Sequence, residues 1–116
     1  MRPTSEGPCK VSVVAPPAAD TVWIRLVGTV EMGAEPALET AVDRVRNRAP
    51  RAVTVDLAGV TFASSALVNL LIRLHLAAPR ASIHLVFATP AVQRVLAATG
   101  FDQLTVPGNS RWPEAR

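Results

Sequence analysis

Residues 56–73, DLAGVTFASSALVNLLIR, change their hydrophobic period within one short stretch, and this constrains the fold more than any other feature. Just before and into it, residues 52–57 (AVTVDL) are rich in β-branched side chains, with Val53, Val55 and Leu57 sharing one face of a strand. Beyond it, Leu67, Leu70, Leu71, Leu74 and Ala78 recur at the spacing of one helical face, which closes at Pro79. A strand therefore runs through a short loop into an amphipathic helix. Two adjacent hydroxyls, Ser64 and Ser65, fall where that helix begins.

The alternation extends in both directions. Residues 21–30 (TVWIRLVGTV) read as a strand with Val22, Ile24 and Leu26 on one face and Trp23, Arg25 and Val27 on the other. Gly28 marks a bulge or turn near its end. Residues 10–15 (KVSVVA) predict a shorter strand, and the Pro-Pro-Ala-Ala-Asp link makes the two an antiparallel hairpin. Leu38, Ala41, Val42 and Val45 place a helix over residues 34–48, with Pro36 in its first turn. Glu35 and Glu39 lie in its first half and Arg residues at its C-terminal end, the polarity the helix dipole favours; Pro50 stops it.

Residues 82–88 (SIHLVFA) carry few polar groups and predict a central strand covered on both faces. Residues 91–98 predict a third helix, with Thr89-Pro90 as N-cap and first position and Gly100 as C-cap. Residues 101–106 read as a short final strand or an extended segment. The order β-β-α-β-α-β-α-β predicts an α/β fold. Its sheet is mixed and mostly parallel, of four to five strands, with three or so helices mainly on one face. One domain over residues 11–106 lies between flexible tails at residues 1–10 and 107–116.

Composition narrows the function. A chain of 116 residues that is 49% hydrophobic and 18% charged folds around a single core. No apolar run reaches the length of a membrane helix, and residues 1–10 lack the apolar core of a secretory signal. The lone Cys9 has no internal partner for a disulfide and is expected in a loose tail, which fits a cytoplasmic protein. The net charge of +3 does not point to nucleic acid, because the Arg residues are scattered, the chain has no Tyr, and Arg44, Arg46, Arg48 and Arg51 fall at a helix C-terminus. His75 and His84 stand apart, so no metal spacing and no cofactor site is expected. Ser64 and Ser65 lack both a neighbouring base and a Gly-x-Ser-x-Gly context, so an enzyme is not expected.

With these residues in order, the chain resembles the STAS domain, the anti-sigma factor antagonist family. The resemblance rests on DLAGVTFASSALVNLLIRL and SIHLVFATPAVQRVLAATGFDQL and covers roughly residues 11–106. It includes the strand ending in Asp56-Leu57, Phe62, the Leu-rich helix, and the closing run Pro90, Val92, Val95, Leu96, Thr99-Gly100, Phe101 and Asp102. The usual family loop, Phe-x-Asp-Ser-Ser-Gly, aligns Ser64 with the acid and Ser65 with the phosphorylatable serine; Ala66 and Leu67 replace the second hydroxyl and the Gly.

The resemblance implies a binding module regulating sigma-factor-dependent transcription. It would engage an anti-sigma factor serine kinase and be released by phosphorylation at Ser65. The implied partner surface comprises Glu31, Phe62, Ala63, Ser64, Ser65, Ala66, Leu67 and Asn69, without membrane insertion and with a possible homodimer through an exposed strand edge. Physical chemistry alone allows a plainer role for both serines, as helix caps. Stand-alone STAS proteins also serve as subunits of lipid-transport ABC systems, docking on an ATPase, or as scaffolds without phosphorylation.

Overall fold

A computed structural model of the chain describes residues 9–104. The strands are β1 (Cys9–Val14), β2 (Thr21–Val30), β3 (Ala52–Ala63) and β4 (Ser82–Val86), and the helices α1 (Glu35–Arg48), α2 (Ser65–Ala77) and α3 (Pro90–Thr99). A 3-10 helix, Met32–Ala34, leads into α1, and another, Phe101–Leu104, follows α3. The four strands lie in the order β1-β2-β3-β4, with β1 antiparallel to β2 and the other pairs parallel. This is the mixed, mostly parallel sheet that the β-α alternation predicts.

The register explains where the core sits. Val22, Val53 and Ile83 pair across three strands, as do Ile24, Val55 and Leu85, while Val13 faces Ile24 and Val11 faces Leu26. Side chains alternate along a strand, so these residues share one face. All three helices feed the same cluster from that side, through Leu38, Ala41, Val42 and Val45 of α1, Leu67, Leu70, Leu71 and Leu74 of α2, and Val92 and Leu96 of α3. The opposite rows, Trp23-Thr54-His84 and Arg25-Asp56-Val86, lie on the other face.

Local signals formed the helix ends as expected. Thr89 caps α3 by accepting a hydrogen bond from the Val92 N–H, Pro90 follows, and Gly100 closes the helix in the left-handed region. Pro36 sits in the first turn of α1. At the far end of α1, the guanidinium of Arg48 donates to the carbonyls of Pro16 and Ala19 and so ties the helix to the β1–β2 hairpin. Arg73 of α2 bridges Glu35 and Glu39 of α1, joining the two helices across their exposed seam.

Four expectations are corrected. β4 is an edge strand and not a central one, and it stops at Val86 because Phe87 takes a positive φ of 61°. Residues 101–104 form a 3-10 helix instead of a final strand, while residues 105 and 106 lie outside the described residues. Residues 52–57 are only the first half of β3, which continues to Ala63. Cys9 opens β1 opposite Gly28, half-buried, and burial pushes its thiol up from the ordinary range. The remainder of the expected tails, residues 1–8 and 107–116, lies outside the described residues.

The β2–β3 pairing carries two register shifts, one on each side of Val27-Gly28, where Gly28 has a φ of 104°. Beside them, a Cβ on Gly59 would lie 2.9 Å from Val27 Cγ2 and 3.4 Å from its Cα. The stiff β-branched Val27 has little room to yield. We expect Gly59→Ala to lower stability by about 1–3 kcal/mol through overpacking. Urea unfolding followed by circular dichroism measures this, and an unchanged midpoint would show that the strands separate freely here.

Candidate functional site: the turn between β3 and α2

Ser64 lies between the last residue of β3 and the first of α2, with extended backbone angles (φ −116°, ψ −163°). Its hydroxyl is used twice. Ser64 Oγ accepts from the Ala66 N–H at 3.2 Å and donates to the Val30 carbonyl at 3.3 Å. Its own N–H donates to the same carbonyl at 3.0 Å, and its carbonyl accepts from the Leu67 N–H at 3.0 Å. The helix start is thereby fixed both to its own first turn and to the end of the neighbouring strand β2.

Ser65 is the first residue of α2 and is exposed. No hydrogen bond engages its hydroxyl among the described residues. It stands at the positive end of a 13-residue helix dipole, where added negative charge is favoured. The adjacent serines thus divide the work: Ser64 holds the turn, and Ser65 presents a free hydroxyl at the helix N-terminus.

The remaining predicted residues fall into two groups. Glu31, Phe62 and Asn69 are exposed, Phe62 at 52%. The pairing of Val30 with Ala63 carries Glu31 to the edge of the same turn, and Asn69 follows Ser65 one helical turn later. Ala63, Ala66 and Leu67 have buried side chains and seat the turn on the core. The surface open to a partner at this turn is therefore Glu31, Phe62, Ser65 and Asn69, with Ser64 half-buried among them.

Residue patterns missed three features. Met32, next to Glu31, is 78% exposed and adds an apolar group beside the turn. Ile72 and Leu76 continue the outer face of α2 from Asn69 and are also exposed. The signal was present, since both are apolar yet fall off the buried stripe of Leu67, Leu70, Leu71 and Leu74. Asp56 is the third: it is buried, with Oδ1 accepting from the Ala58 N–H at 2.9 Å and Oδ2 from Arg25 Nε at 3.3 Å. It shapes the outgoing part of β3. His75 is exposed on α2 and His84 half-buried in β4.

Comparison with known proteins agrees with this fold. A family model described as the Mlab STAS domain matches residues 15–107. A STAS-domain-containing protein of Pseudomonas aeruginosa is 33% identical over 98 residues, which span 81% of this chain and 96% of that protein. Among solved structures, an anti-sigma factor antagonist from Mycobacterium paratuberculosis is similar with a TM-score of 0.73 at 23% identity, covering 88% of this chain and 86% of that one. The unphosphorylated anti-sigma factor antagonist SpoIIAA is similar with a TM-score of 0.68 at 18% identity, over 91% of this chain and 92% of that one. At these identities the solved structures show a shared fold.

The division of labour gives adjacent positions opposite responses to the same substitution. Ser65→Asp adds charge at an exposed helix start and should stabilise the fold by about 0.3–1 kcal/mol. Ser64→Asp keeps an N-cap acceptor but sets a carboxylate oxygen against the Val30 carbonyl, which retains the Ser64 N–H and loses the hydroxyl proton, and this repulsion should cost about 1 kcal/mol or more. Paired urea unfolding curves read both signs. Equal shifts at the two positions would refute the role given to the Ser64 hydroxyl.

Proposed function

The chain belongs to the STAS domain family, and within it we propose that it is an anti-sigma factor antagonist controlled by phosphorylation at Ser65. The observation that carries this reading is the Ser65 hydroxyl: exposed, unengaged among the described residues, and at the start of α2. A kinase reaches it without unfolding the turn, because Ser64 alone caps the helix. The partner is a cytoplasmic anti-sigma factor with serine-kinase activity, and it docks over Glu31, Phe62, Ser65 and Asn69. Ala63, Ala66 and Leu67 support that surface from beneath. The protein acts as a binding module and not as an enzyme, and its association with the kinase frees a sigma factor for transcription.

Phosphate suits such a switch. It brings about −1.5 to −2 charges to a helix N-terminus that tolerates them, so the fold survives modification. The same charge arrives beside Glu31, Met32 and Phe62, where a partner seated on apolar groups meets desolvation and repulsion. Modification therefore weakens binding and leaves structure intact.

A second reading is favoured by the match to the Mlab STAS domain model. In it the same surface docks on the ATPase of a lipid-transport ABC system, and Ser65 serves as a contact without being phosphorylated.

The test is to incubate the protein with a serine-kinase anti-sigma factor and ATP, then map phosphate by mass spectrometry and measure the complex by titration calorimetry. We expect one phosphate, on Ser65. Ser65→Ala should keep the complex and block modification, and Ser65→Asp should weaken it about tenfold or more. Neither complex nor modification with any such kinase, together with capture by a transport ATPase, would replace the first reading with the second.

A further inference from the structure

Charge is unevenly distributed along the sheet. Where the parallel strands end, beside Ser65, the acids Glu31, Glu35 and Glu39, the last two paired with Arg73, are accompanied by the cations Lys10 of β1, opposite Val27, and Arg94 of α3. Where the strands begin, Arg44, Arg46 and Arg48 occupy the last turns of α1, Arg51 directly precedes β3, and Arg80 lies in the link from α2 to β4. These groups are held close together. The Ser82 N–H donates to the Arg51 carbonyl at 2.9 Å and the Arg51 N–H to the Asp20 carbonyl at 2.7 Å, while Arg48 grips the β1–β2 hairpin. Arg80 lines a hollow with Ala49, Pro50, Ala77, Ala78 and Pro79.

The acids at this end are Asp43, paired with Arg46, and Asp20. Arg44, Arg51 and Arg80 are exposed and lie in no ion pair among the described residues. Small and proline residues surround Arg80, which leaves its guanidinium room to approach a flat surface, and Arg44 stands beside Ala15 and Asn47 near the hairpin. One large apolar side chain accompanies them: Leu76, 70% exposed, one residue from the end of α2 and four before Arg80.

We propose that this end of the molecule is a peripheral docking surface for an anionic phospholipid bilayer. Arginine suits that surface, since its planar fork pairs with phosphate oxygens and is weakly hydrated. Leu76 supplies an aliphatic group for the acyl boundary. A single-stranded polynucleotide would call for exposed aromatic groups to stack on its bases, and the exposed Phe62 and Phe87 lie where β3 and β4 finish, at the other end of the strands. Among the described residues no helix is long and apolar enough to cross a membrane, so the contact is superficial. β3 separates the two ends by 12 residues, roughly 35 Å at strand rise, so a bilayer and a protein partner at Ser65 can be engaged at once.

The experiment is vesicle co-sedimentation of the full chain. Vesicles of phosphatidylcholine alone are compared with vesicles containing about one third phosphatidylglycerol, at about 0.1 M salt. We expect binding to the anionic vesicles only, with release as salt approaches about 1 M, where the Debye length falls to about 3 Å. Each arginine near an anionic bilayer contributes roughly fivefold in affinity, so Arg44→Gln, Arg51→Gln and Arg80→Gln together should weaken binding about a hundredfold. Leu76→Ser should weaken it further, and Ser65→Asp should leave it unchanged. All of these positions are exposed, and far-ultraviolet circular dichroism checks that each variant folds. Equal binding to both vesicle types, none to either, or an undiminished triple variant overturns the proposal. Binding to DNA or RNA without binding to anionic vesicles overturns it in favour of a polynucleotide partner.

Discussion

The geometry of the candidate site depends on one hydroxyl that both donates and accepts. Ser64 takes the Ala66 N–H and gives its proton to the Val30 carbonyl, so a single small side chain couples the end of β2, the end of β3 and the start of α2. A carboxylate at this position could only accept, and an alanine could do neither. Serine at this position has a local consequence. The helix start thus carries a neutral tie to β2 in place of a charge.

That tie bears on the neighbouring serine. With Ser64 committed to structure, α2 keeps its cap whether or not Ser65 is modified, and the positive end of the helix is not already occupied by a carboxylate. Charge added at Ser65 then acts on whatever faces the turn instead of on the turn itself. The burial of Ala66 and Leu67 directly below makes the platform rigid, because neither side chain can follow a displacement of the loop without opening the core. A rigid support with one variable group is what a binding surface switched by charge requires.

Much of this was legible in residue patterns, and the parts that were not share a physical cause. Thr89, Pro90 and Gly100 announce α3 because caps are local chemistry, satisfied within a few residues of the helix ends. The strand β2 was legible because the alternation of buried and half-covered side chains from Thr21 to Leu26 is set by a single solvent boundary, and Gly28 marks the irregularity near its end. The edge position of β4 was not, since strand order is decided by pairing between distant segments. Ile83 and Leu85 face the core, Val86 is buried on the opposite face, and so an edge strand carries the apolar density of a central one. Residues 101–104 were too few for a period of two to be told from a 3-10 turn. Ser64 was legible as a helix cap but not as a tie to Val30, because that bond spans 34 residues.

The parallel sheet also gives a single small domain two chemically different ends. Each crossover returns the chain to the same starting end, so the links before β3 and β4 gather there, and the turns that follow β2 and β3 gather at the other. Helix dipoles reinforce the separation: α1 begins near the Ser65 end with Glu35 and finishes with Arg46 and Arg48 at the opposite one. The arginines that complement the C-terminus of α1 are thereby placed at the same end as Arg51 and Arg80. Because the core lies between the ends and is closely packed, contact at one leaves the other free, and binding at the two is expected to be independent and additive.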